Sequence, residues 1–142
     1  MTHPSMPALN CSVCANPWTD ESGVRCAMVK VQTEHYELNV SLTRGEAEEL
    51  RGNPPGVRTS RGSLRLGRCA GSTVFWCVEG ESLTLLIGPD EEVWSVAFVL
   101  PPPALAQIRQ ALQGLSPWLA GLSLPQGYLG HVPEDYAQVA EG

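Results

Sequence analysis

Apolar residues recur along this chain at two spacings, and the spacing changes where turn residues cluster. Tyr36, Leu38, Val40 and Leu42 alternate with Glu37, Asn39 and Ser41, the period of two that a strand with one wet face requires. Upstream, Val29 and Val31 are apolar at odd positions, so the shift in parity demands a turn or bulge near Thr33 and Glu34. A helix follows. Thr43 and Glu46 stand at capping-box spacing, each side chain placed to accept from a backbone N–H near the other. Ala47 and Leu50 are the residues this helix has to bury, Gly52 is placed to end it in a left-handed conformation, and Pro54-Pro55 forbids its continuation.

From Ser63 to Leu100 the pattern predicts four strands. Leu64 and Leu66 flank Arg65, and Val74 to Val78 is continuously apolar, as in a strand covered on both faces. Leu83, Leu85 and Ile87 make a third strand and Val93 to Leu100 a fourth. Their links are too short for crossover helices, so the pairing has to be antiparallel. Pro101-Pro102-Pro103 then opens a helix with Leu105, Ile108, Leu112 and Leu115 on one face, and Gly114 and Ser116-Pro117 are expected to stop it. The predicted order is ββαββββα: an α+β fold with a single antiparallel sheet of about five to six strands and two helices.

The two ends fit this scheme less well. Residues 1–22, rich in Pro, Ser, Asn and Asp with Trp18 as the bulkiest apolar group, read as an irregular arm on a domain of residues 23–115. Residues 116–142 read as an irregular but apolar tail, broken by Pro125 and Pro133. Trp118, Leu122, Tyr128 and Tyr136 give it surface that must dock on its own domain or on a partner, since disordered tails lack such residues.

Composition narrows the class. A chain of 142 residues suits one domain with a self-sufficient core, and 43% hydrophobic with 17% charged residues argues for a folded chain. No apolar run reaches the length of a membrane span. Five cysteines, an odd number, without a secretory leader at the start point to reduced thiols and a cytoplasmic setting.

The net charge of −6 repels phosphate backbones unless basic groups are segregated. They are: Arg51, Arg58, Arg61, Arg65 and Arg68 precede an acidic block of Glu79, Glu81, Asp90, Glu91 and Glu92. Opposed blocks in one sheet can simply pair across strands. Alternatively Arg58, Arg61, Arg65 and Arg68, beside Phe75, Trp76 and Trp94, form a face for single-stranded nucleic acid; four antiparallel strands and a helix is an outline that single-strand binders share.

Catalytic signatures are missing: there is no nucleophile elbow, phosphate loop or zinc-protease motif. His35 and Glu37 lie close on one strand, but surface alternation accounts for them. Cys11-x-x-Cys14 has the spacing at which two thiolates share a zinc ion, without a second close pair to complete four ligands. The reading that follows is a non-catalytic protein-interaction module, of a regulatory, inhibitory or immunity type or an assembly subunit. It requires no cofactor and takes another protein or a second copy of itself as partner. Its alternatives are the nucleic-acid binder and a small module stabilised by zinc through Cys11 and Cys14.

Overall fold

A computed structural model of the chain describes residues 5–53, 55–56, 63–90 and 93–124. Strands β1 (Ser5–Pro7), β2 (Cys11–Thr19), β3 (Arg25–Thr33) and β4 (Glu37–Thr43) lead into helix α1 (Arg44–Gly52). Strands β5 (Leu64–Cys69), β6 (Ser72–Glu79), β7 (Ser82–Ile87) and β8 (Val96–Leu100) lead into helix α2 (Ala104–Leu119). All eight strands form one mixed sheet in the order β1-β8-β7-β6-β5-β4-β3-β2. The middle is an antiparallel meander, as the short links dictate, but β1 lies parallel to β8 and makes the sheet mixed.

Two expectations are therefore corrected. The sheet has eight strands rather than five or six, and residues 5–19 of the supposed arm supply two of them. β2 carries little strand signal in the sequence, because Asn16 and Pro17 interrupt it and its buried residues, Val13, Cys14 and Ala15, are small. Its register on β3, from Cys11 opposite Thr33 to Thr19 opposite Arg25, supplies what its composition lacks. Pro17 sits on this edge strand, where a missing N–H costs least.

Local signals held where they rested on specific bonds. The capping box at Thr43 is complete, with the Glu46 N–H donating to Thr43 Oγ1 at 3.2 Å and the Thr43 N–H donating to Glu46 Oε1 at 3.0 Å. Thr33 makes the expected turn: its N–H donates to the Tyr36 carbonyl at 2.8 Å, and Oγ1 accepts from the Tyr36 N–H. Helix ends held less well. Gly52 is still helical, and α1 closes through Asn53 in an extended conformation, its N–H donating to the Glu49 carbonyl. α2 runs through Pro117 to Leu119, because burying Leu115 and Leu119 outweighs one lost helical bond near the helix end.

Both helices lie on the concave face of the sheet. Odd residues of β2 and β3 and even residues of β4 point there, and Val29, Val31, Val40 and Leu42 meet Ile108, Leu112 and Leu115 of α2 in one buried core. Trp76 is at its centre, its indole N–H donating to the Leu66 carbonyl at 2.8 Å. The sheet is curled. β4 and β8 stand four places apart, yet the rings of Tyr36 and Phe98 lie 4.8 Å centroid to centroid. No helix among the described residues is long and apolar enough to cross a membrane.

Candidate functional site

The convex face of the sheet carries a cleft of about 530 Å³ between the β2–β3 hairpin and the β5–β6 hairpin. Register builds it. Trp18, Cys26 and Thr43 share one row across β2, β3 and β4, and Ser41, Arg68 and Thr73 share a row across β4, β5 and β6. Between the rows β5 carries a bulge, where the pairing with β6 slips by one residue between Arg65 and Arg68. Gly67 in that bulge has φ of +80°, and its N–H donates to Glu46 Oε2 at 2.8 Å. Alternation alone would put Arg65 and Arg68, three residues apart, on opposite faces; the extra residue restores both to the convex side. The start of α1 thus fixes the bend that presents two arginines to one cleft.

The acids in the cleft are already engaged. Asp20 Oδ1 accepts from the Ser22 and Val24 N–H groups, both at 2.9 Å, and both Glu46 oxygens are held by backbone donors. Arg68 donates to the Gly71 carbonyl at 3.0 Å and is exposed. Arg65 is exposed too, and its guanidinium makes no hydrogen bond or ion pair among the described residues. The Trp18 ring is 41% exposed, a large apolar wall open to solvent. Cys26 is buried at the floor, its thiol donating to the Val24 carbonyl at 3.7 Å. Burial first, and then the charges of Asp20 and Glu46, raise its pKa, so it stays a thiol and not a nucleophilic thiolate. The cleft combines a planar fork that pairs with carboxylate or phosphate and an indole that packs on apolar or aromatic groups.

The sequence-derived candidates scatter. Arg65 and Arg68 come together in the cleft, whereas Arg58 and Arg61 lie outside the described residues. Of the aromatics expected beside them, Phe75 stands opposite Arg65 on the convex face but is buried, in a second cluster that Trp94 packs against, and Trp76 is in the core. Trp18 supplies the exposed ring. It was hidden in a segment read as irregular, and the alternation of Cys14, Asn16 and Trp18 against Val13 and Ala15 was the signal that could have found it. Among the described residues of the two blocks, Arg65 stands opposite Phe75, Arg68 opposite Thr73 and Glu79 opposite Ser82.

Trp118 is half-buried against the core, with the Arg25 guanidinium 4.8 Å from its ring. Leu122 is exposed, and Tyr128 and Tyr136 lie outside the described residues. Cys11 and Cys14, three apart on a regular strand, project to opposite faces. Cys11 packs toward the core near Gln107 of α2, and Cys14 lies on the convex side, where its sulfur accepts from Asn16. Among the described residues no three His, Cys, Asp or Glu side chains gather as a metal site. His35 is exposed in the β3–β4 turn, while Glu37 pairs with Lys30 at 3.4 Å and accepts from Asn39. Comparison of the chain with protein-family models, with curated proteins and with solved structures finds no match.

Proposed function

We propose that the chain is a non-catalytic protein-interaction module, and that the convex cleft of Trp18, Arg65 and Arg68 is its contact site for an acidic segment of a partner protein. The observation that supports this reading is Arg65: an exposed guanidinium without a partner among the described residues, in a cleft whose acids are held by backbone N–H groups. Trp and Arg are the side chains that most often dominate binding energy at protein interfaces. A protein partner is favoured over single-stranded nucleic acid on two grounds. Two described arginines engage few phosphates, and the net charge of −6 opposes a polyanion over its whole length while leaving one carboxylate-bearing motif tolerable.

The test is a titration of the full-length protein, followed through its tryptophan indole N–H resonances. One arm uses a synthetic Glu/Tyr-rich peptide and the other an oligothymidylate of equal charge. The peptide is expected to shift the Trp18 signal and to lose its effect in Arg65→Glu. Binding of the oligothymidylate alone, weakening steeply with salt, would select the nucleic-acid reading. Silence in both arms at millimolar ligand would remove the cleft from consideration.

A further inference from the structure

We propose that the cleft selects spacing as well as charge: it takes an extended segment of the partner in which an aromatic and an acidic residue stand four positions apart, the aromatic on Trp18 and the acid on Arg65. This rests on the cleft reading above and names the motif that such a cleft would recognise. Three observations carry it.

The first is register. Ser41, Arg68 and Thr73 share a row, and Thr43 and Phe75 each stand two residues further along β4 and β6, which run in the same direction. Because Arg65 is opposite Phe75, it joins the row of Trp18, Cys26 and Thr43. This row runs straight across β2, β3, β4 and β5, with a long side chain at each end and two short ones between. Its ends are three strand spacings apart, roughly 14 Å. Side chains stand nearly perpendicular to a sheet, so on a convex face the indole and the guanidinium keep about that separation.

The second is polarity. Asp20 lines the cleft at the Trp18 end, fixed there by the Ser22 and Val24 N–H groups, and its charge repels a carboxylate from the indole. Arg65 at the other end has no partner among the described residues, and Arg68 stands one row further along the same strand. Aromatic and acid are thereby assigned to opposite ends of the row.

The third is size. Residues i and i+4 of an extended segment point to one face and lie about 13 Å apart, which matches the row. A separation of three or five turns one of the two side chains away, and a separation of two covers only about 7 Å. A helix would need about nine residues to cover the same distance. The cleft, at about 530 Å³, has the volume of a small-ligand site and suits the shorter, extended form.

The experiment titrates the full-length protein with capped peptides of Ser, Thr and Gln that carry one Tyr and one Glu, two to six positions apart and in either order. Separation by four should move the Trp18 indole N–H signal while those of Trp76, Trp94 and Trp118 stay in place. It should bind about three- to fivefold more tightly than separation by three or five, the worth of one exposed charge contact. Arg65→Glu should lose the four-spaced Tyr/Glu peptide and gain the four-spaced Tyr/Lys peptide, with the other three indole signals unmoved as evidence of an intact fold. Equal binding at every separation, a tightest separation other than four, or failure of the charge swap overturns the spacing rule and leaves the cleft reading standing. So does silence from the whole set while a Glu/Tyr-rich peptide still moves Trp18. Silence from that peptide as well, at millimolar concentration, overturns both.

Discussion

Gly67 shows how much one residue can settle. Its φ of +80° lies where side chains are strained, and a methyl group there would come within 2.6 Å of the Ser41 carbonyl oxygen and of Leu42 Cδ2. The obstruction is the backbone of the neighbouring strand, which cannot swing aside as a flexible side chain would. Gly67→Ala is therefore expected to cost about 2–3 kcal/mol, read as a lower urea midpoint at unchanged slope. The same variant should weaken acidic-peptide binding even where the protein stays folded, because Arg65 and Arg68 share the cleft only through this bulge. A Gly67→Ala protein with native stability and native binding would show that the bend is incidental. Glu46 is the counterpart on the helix side. One carboxylate both completes the cap of α1 and holds the Gly67 N–H, so helix start and strand bend form one unit.

At the scale of elements, the junction of α2 with the β2–β3 hairpin depends on Arg25. Its guanidinium donates to the carbonyl of Trp118 in the last turn of α2 and to that of Leu122 beyond it, and lies over the Trp118 ring. Arg25→Ala should destabilise the protein by about 2 kcal/mol, and Arg25→Lys should recover less than half, because an ammonium cannot reproduce the planar fork. Hydrogen exchange should localise the loss to residues after Ser116, and uniform loss would contradict the assignment. The elements themselves were unequally legible in the sequence. β4, β6 and β7 were plain, since Leu38/Val40/Leu42 alternate and Val74–Val78 and Leu83–Ile87 are dense in apolar residues. α1 was legible through the chemistry of its cap. β2 was not, because small buried residues and Pro17 carry no strand propensity and its place is set by pairing with β3. The end of α2 is not legible in the sequence, because Pro117 is a local signal and the burial of Leu119 is a tertiary one. The cleft suffers from both problems at once. Its walls come from β2 through β6, so Trp18 and Arg65, far apart in sequence, meet only after the meander is laid down.

For the whole molecule the decisive feature is the curl, which brings the two ends of the sheet toward each other. β1 and β2 lie on opposite edges and are joined by residues 8–10 alone, a link that spans at most roughly 14 Å. Glu34 holds that link by accepting from the Leu9 N–H at 2.9 Å and the Asn10 N–H at 3.4 Å, and these bonds, that from Leu9 foremost, lower its pKa. A carboxylate depressed in the folded state gives its full contribution above its ordinary pKa and loses it as pH falls through the depressed value. Amide protection at Leu9 should thus fall only as pH drops below the ordinary glutamate value of about 4.3, while that at Val31 persists, and Glu34→Gln should abolish the difference.

Tyr36 closes the curl from the other side, and its titration runs the opposite way. Burial, with smaller effects from Cys11 and Glu34, pushes its pKa up to about 12, while its hydroxyl donates to the Met6 carbonyl at 3.2 Å and its ring meets Phe98. The neutral phenol is the form the closed sheet holds. Its contribution is complete below the unfolded tyrosine value of about 10 and disappears as pH rises through the folded one. Thermal unfolding should therefore show an alkaline decline beginning near pH 10, matched in phenolate absorbance by one late-titrating tyrosine. Tyr36→Phe keeps the ring against Phe98 and removes the ionisation, so it should erase the late absorbance step and lessen the decline, the remainder coming from the thiols of Cys11, Cys14, Cys26 and Cys69, which burial also holds protonated. An unchanged decline in that variant would mean that the sheet closes without this contact.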